Sequence, residues 1–160
     1  MIYFAYFHLA MEYGIIFWGD SVESKRIFLQ QKRIFRIMTG SPSRATCRTL
    51  FCELKILTLT SQYILSLMRF LSSYLDFFTF NSSVHNINTR LRPKLHKRSI
   101  NLKIYQRSSY YNCIHVYNTH PEDLATLIQN KRQFILQFKK IFINKPYYSL
   151  QEFFDQSIDP

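Results

Sequence analysis

The sequence predicts a mainly α-helical protein. A bundle of about four N-terminal helices leads into a basic extended segment with room for short strands, and further C-terminal helices follow. Three observations carry this expectation. Residues 20–40 repeat apolar side chains at helical spacing between complete start and stop signals. Residues 57–78 are apolar around most of a helical circumference. Pro, Gly, Ser and Asn gather between such stretches rather than inside them. The expected division is a helical bundle over 1–80, a basic linker over 81–109, and a helical segment over 110–160 packed back on the bundle. A chain of 160 residues suffices for one domain with a real core.

Ile2 to Trp18 reads as one buried helix, with Gly14 as a cost in its middle. The run is marginal for a membrane span, and His8 and Glu12 interrupt it. It has neither the basic start nor the small-residue cleavage site of a signal peptide. Beginning directly in apolar material, the chain reads as a piece of a longer protein.

Asp20 to Gly40 is the clearest amphipathic helix. Asp20 is the expected N-cap, with Glu23 at capping-box spacing. Gly40 suits a left-handed end and Pro42 blocks continuation. Ile27, Ile34, Phe35 and Met38 share the expected core face, and Lys25, Arg26, Lys32, Arg33 and Arg36 the opposite one. Arg44 to Leu54 reads as a short helix, with Leu50, Phe51 and Leu54 inward and Arg44 and Arg48 outward. Leu57 to Phe78 is the expected central helix, capped by Thr58 or Thr60.

Asn81 to Arg107 changes character, with Asn/Ser turns, a Pro, dense cations and a partial alternation at Ile100, Leu102 and Ile104. Aromatics and cations interleave around Tyr105, Arg107, Tyr110 and Tyr111, a pattern that can stack bases and pair phosphates. A linker that merely covers the core is the alternative. Tyr110 to Tyr117 is expected to be helical, and Glu122 to Leu127 a short turn or helix. Asn130 caps a helix from Lys131 to about Ile143, and Ser149 caps a last one to Gln156.

The formal charge of +11 disfavours basic partners and favours RNA, DNA or an anionic membrane surface. It is uneven: residues 81–115 hold seven cations and no carboxylate. With three glycines in the chain, Gly-rich phosphate loops are nearly excluded. No nucleophile elbow, P-loop, HExxH or paired-aspartate hairpin is present. Cys47 and Cys52 with His85 or His115 match no standard zinc spacing, so the thiols read as buried side chains. Three cysteines imply no disulfide framework and fit a reducing, intracellular compartment, nuclear or cytoplasmic. No cofactor and no small-molecule substrate is expected.

Several landmarks occur in order: Tyr13-Gly14-Ile15, Trp18-Gly19, Gln31-Lys32 and Arg36. Cys47, Phe51 and Leu54 precede Ile56-Leu57-Thr58-Leu59 and Gln62-Tyr63. His85 with Asn88-Thr89-Arg90 follows, then Tyr117-Asn118 and Pro121, with His120 where Leu is usual. Tyr147-Tyr148-Ser149 and Glu152-Phe153-Phe154 close the series. Together they resemble the C-terminal region of reverse transcriptases from non-LTR retrotransposons of the jockey-like kind. The resemblance covers nearly the whole chain and implies the thumb and its downstream extension. It implies that the basic helix lies along a template–primer duplex and that residues 81–107 contact RNA or target DNA. The expected nucleic-acid-binding set is Lys25, Arg26, Lys32, Arg33, Arg36, Arg44, Arg48, Arg90, Arg92, Lys94, Lys97 and Arg98. The palm and its catalytic aspartates are not in this sequence, so no independent catalysis is expected. The partners implied are RNA or an RNA/DNA hybrid, and an intact reverse transcriptase in trans. Two other readings compete: a membrane-associated protein anchored by residues 1–18 with its basic face on anionic lipid, and a relic that has lost its packing partner.

Overall fold

A computed structural model describes residues 2–84, 93–119 and 130–156. The fold is mainly α-helical. A π-helical turn, Tyr3–His8, runs into α1 (Leu9–Glu12). The single helix expected over Ile2 to Trp18 is broken at Tyr13 and Gly14. Gly14 takes φ 63°, which a glycine adopts without strain, and α2 (Ile15–Trp18) restarts beyond it. The Trp18 indole N–H donates to the Tyr13 carbonyl at 2.9 Å and pins the break. The expectation of about four N-terminal helices therefore becomes a π-helical turn and five α-helices before residue 74.

Helix α3 (Ser24–Thr39) starts four residues after the expected cap. Asp20 does not cap it; its carboxylate accepts instead from the Asn112 amide at 3.3 Å. The other end is as expected, with Gly40 at φ 63° and its N–H on the last carbonyls of the helix. The core stripe is Phe28, Gln31 and Phe35, flanked by half-buried Ile27 and Ile34. Met38, assigned to the core face, is 48 % exposed. Met38 lies two turns after Gln31 on the same side, but in the last turn of the helix, beyond its last buried residue, Phe35.

Helix α4 (Arg48–Glu53) is shorter than the expected Arg44–Leu54, and Arg44 lies in the preceding loop. Phe51 is fully buried; Leu50 and Leu54 are partly so. Helix α5 (Leu59–Ser73) is the centre of the molecule. Thr58 caps it, its hydroxyl accepting from the Ser61 N–H. The helix stops at Tyr74, short of Phe78, and a 3₁₀ turn (Leu75–Phe77) follows. Tyr63, Ile64, Leu65, Leu67, Met68 and Leu71 are all at or below 1 % exposure, so α5 is covered on most of its circumference and opens to solvent at Arg69.

Beyond α5 come a short α6 (Asn81–Val84), a run without regular structure over 96–102, and α7 (Lys103–Gln106). Among the described residues no strand forms. An isolated antiparallel bridge joins Phe80 to Leu95. The alternation at Leu102 and Ile104 does not mark a sheet face, since both are well exposed and Ile104 lies in α7. Helix α8 (Ser109–Asn118) lies against α5. Asn118 clamps Leu95 with two bonds of 2.9 Å, one to its carbonyl and one from its N–H. The turn or helix expected over Glu122 to Leu127 lies outside the described residues.

Helix α9 (Lys131–Asn144) also packs on α5. Asn130 caps it as expected. Its buried stripe is Phe134, Phe138 and Phe142, with Ile135 and Ile141 at the margins. Helix α10 (Leu150–Gln156) follows, with the Glu152 N–H donating to the Ser149 hydroxyl. One continuous core runs from Tyr3 to Phe153.

Buried polar groups lock the elements in register. The Gln31 amide donates to the Tyr3 hydroxyl (2.9 Å) and the Leu57 carbonyl (3.0 Å), and its oxygen accepts from the Leu59 N–H (2.9 Å). The Thr58 hydroxyl donates to the Tyr147 carbonyl at 2.6 Å, tying the start of α5 to the loop before α10.

Candidate nucleic-acid interface

The expected cations divide into held and exposed groups. On α3, Lys25, Arg26 and Arg33 are exposed, while Lys32 and Arg36 are half-buried. Arg26 pairs with Glu23 at 3.0 Å. The Arg36 Nε donates to the Ala45 carbonyl at 3.1 Å, so it braces the loop after the helix. The Lys32 ammonium lies 4.5 Å from the Phe28 ring centroid and 5.0 Å from that of Tyr148. Arg48 reaches Glu152 at 2.6 Å and covers the same Tyr148 ring at 4.5 Å. One aromatic ring thus sits beneath two cations from different helices.

This cluster shapes the Glu152 carboxyl. Burial pushes it up, but Arg48 and the Tyr148 N–H (2.8 Å) outweigh burial and hold it below its ordinary value. Arg48 is a structural cation as well as a surface one. Lys25 and Arg33 are different: among the described residues no carboxylate lies within ion-pair distance of either.

The middle segment is placed only in part. Arg90 and Arg92 lie outside the described residues. Lys94 is half-buried, and its carbonyl accepts from the Asn81 N–H at 2.9 Å. Lys97 and Arg98 are exposed, with the Lys97 ammonium 4.7 Å from the Tyr111 ring centroid on α8. Of the interleaved aromatics, Tyr110 stacks face to face on Phe78 (4.8 Å, 8°), which occupies that face of its ring. Tyr105 is 58 % exposed.

A polar cleft of about 360 Å³ opens at the start of α3. Lys25 and Arg107 line it together with Phe28, Tyr148, Ser21, Ser24 and one carboxylate, Asp20. The sequence did not single out this cleft. Lys32, one turn after Phe28, places a cation over one of its rings without lining the cleft itself. Arg107 falls in the stretch of interleaved aromatics and cations, whereas Tyr148 comes from a distant stretch and carries no such signal.

Among the described residues no group of His, Cys, Asp and Glu could hold a metal ion. Cys47 and Cys113 are buried, and burial pushes the Cys113 thiol up to about 12. The Cys113 thiol donates to the Leu67 carbonyl at 3.4 Å, as a small core side chain does. His8 and His115 are both held below their ordinary value, first by burial, so both are neutral at pH 7. His115 packs edge-on against Phe154, with centroids 4.1 Å apart.

Comparison with family models, with curated proteins and with solved structures found no match.

Proposed function

We propose that this chain is a nucleic-acid-binding module without independent catalysis. In this reading it is the thumb and C-terminal extension of an RNA-directed DNA polymerase of the non-LTR retrotransposon kind. It grips template–primer or element RNA through basic helix faces, and an intact reverse transcriptase is its natural partner in trans. The observation that carries the reading is the uncompensated charge of α3, where Lys25 and Arg33 project into solvent on a chain of formal charge +11. The adjoining cleft adds Arg107 and two aromatic rings to the same helix end.

The test is fluorescence anisotropy with a labelled RNA/DNA hybrid across a salt series. Affinity should fall steeply with salt, and the double variant Lys25→Glu/Arg33→Glu should flatten the slope of log affinity on log salt by about 2. Lys32, Arg36 and Arg48 are poor test positions because each also holds structure. Wild-type affinity in the folded double variant would refute the assignment of the α3 face.

A second reading draws on the N-terminal surface. Ile2, Tyr6, Leu9, Tyr13 and Phe17 are each more than 60 % exposed. An exposed apolar face beside a basic protein surface suits an anionic lipid interface. No helix of the described residues is long and apolar enough to cross a membrane. Co-sedimentation with anionic vesicles, compared for the wild type and Tyr13→Ser/Phe17→Ser, separates the two readings.

A further inference from the structure

A second basic hollow lies away from the α3 face, where His8, Glu12, Lys55, Gln62, Arg69 and Lys139 converge from the N-terminal π-helical turn, α1, the α4–α5 turn, α5 and α9. Its volume is about 180 Å³. Three cations line it and one carboxylate faces them. That carboxylate is already engaged, with Glu12 accepting from Gln62 at 2.8 Å and from Arg69 at 2.9 Å. Among the described residues neither Lys55 nor Lys139 has an ion-pair partner. His8 adds no charge, because burial keeps its ring neutral at pH 7. The hollow therefore carries two unbalanced positive charges.

The backbone supplies an independent observation. Lys55 has φ 53°, the only left-handed non-glycine residue described. The turn after α4 needs that conformation, since the N–H groups of Lys55 and Ile56 close back on the Cys52 and Phe51 carbonyls. It does not need a lysine there. Glycine or asparagine is the residue such a turn favours. A side chain kept at a strained position is explained when its far end has work to do.

We propose that this hollow binds a phosphate dianion, either free or as the monoester end of a larger ligand. The charge matches: two unneutralised cations meet a dianion, whereas a backbone phosphodiester brings a single negative charge. Lys55 and Lys139 are the primary contacts, and the Glu12–Arg69–Gln62 network fixes the wall opposite them.

The test measures thermal unfolding of the whole chain at pH 7, with inorganic phosphate against chloride at matched ionic strength. Phosphate at ten times its Kd should raise Tm by about 3–6 °C. Lys139→Glu should abolish that rise while leaving the Tm in chloride close to wild type. Lys55→Gly should raise the Tm in chloride, because strain is relieved, and yet lose most of the response to phosphate. Greater stability with weaker binding cannot come from misfolding. A second arm compares oligonucleotides carrying a 5′-phosphate with the same strands ending in a 5′-hydroxyl. A preference for the 5′-phosphate that Lys139→Glu removes makes a strand end the source; equal binding with a retained response to inorganic phosphate makes it a small ligand. No shift with phosphate, or an equal shift in Lys139→Glu, overturns the proposal. Neither result bears on the α3 face, which Lys25→Glu/Arg33→Glu tests separately.

Discussion

A methyl group at position 19 would meet its neighbours at once. A Cβ there sits 2.6 Å from Cγ of Tyr63 and 2.7 Å from the Ile15 carbonyl oxygen. Tyr63 cannot step aside, because it is 1 % exposed and the Asn112 amide donates to its hydroxyl at 3.0 Å. Gly14 presents the opposite case. Its φ of 63° strains any other residue, but the nearest atom to an added Cβ is Trp18 Cδ1 at 3.9 Å. Gly14→Ala should therefore cost only the backbone term, about 1 kcal/mol. Gly19→Ala should cost more, about 2–3 kcal/mol, although its φ of −62° suits alanine. Urea unfolding of both variants checks the order, and the reverse order would mean that Tyr63 has room to move. Gln31→Leu belongs to the same scale. It leaves the Leu59 N–H without its acceptor in the core, and should cost about 2–3 kcal/mol despite the added apolar surface.

At the scale of elements, α10 is held to α4 by the Arg48–Glu152 pair and by the Tyr148 ring beneath Arg48. The folded Glu152 carboxyl titrates below its ordinary value of 4.5. Its contribution is thus present in full above about pH 4.5 and lost as pH falls through the folded value. Arg48 is half exposed, so solvent screens the pair to about 1 kcal/mol. Glu152→Gln should lower Tm at pH 7, and the gap to wild type should close toward pH 3. A gap unchanged with pH would make the glutamate a packing residue only. None of this pairing was legible in the sequence, because the two partners stand 104 positions apart. Local punctuation was legible: Gly40, Thr58, Asn130 and Ser149 each do what their residue type and position imply. Asp20 misled because a carboxylate at capping-box spacing has other uses, and here a distant asparagine takes it. Met38 misled because it shares the side of the core face but stands in the last turn of α3, past the last buried residue, and Gln31 was missed because it counts as polar in any periodicity. Its three bonds to Tyr3, Leu57 and Leu59 let it sit at the centre of the buried stripe. The same limit applies to the basic site. Sequence finds a row of cations, but not that Arg36 braces a loop and Arg48 meets a carboxylate from the far end of the chain.

The whole molecule turns on α5 being covered from both ends of the sequence. The N-terminal helices α2 and α3 cover part of it; α8 and α9 cover the rest. Leu67 and Cys113 meet by a direct contact, and both are fully buried. The side chains of Phe134, Phe138 and Phe142 have no exposed surface at all. A chain cut after residue 80 would expose the α8- and α9-facing sides of α5, leaving an apolar surface that water opposes at roughly 25 cal/mol for each Å². Stability margins are of the order of 5–15 kcal/mol, so losing one whole wall of the core exceeds them. The full chain should therefore unfold in one transition, with the fluorescence of Trp18, the one tryptophan, and far-UV circular dichroism giving the same midpoint. Residues 1–80 alone should show no cooperative transition. A sharp transition in that fragment would mean that the N-terminal bundle is a domain in its own right. The α3 face would then keep its place without α8 and α9, while the cleft beside it would lack Arg107 and Tyr148.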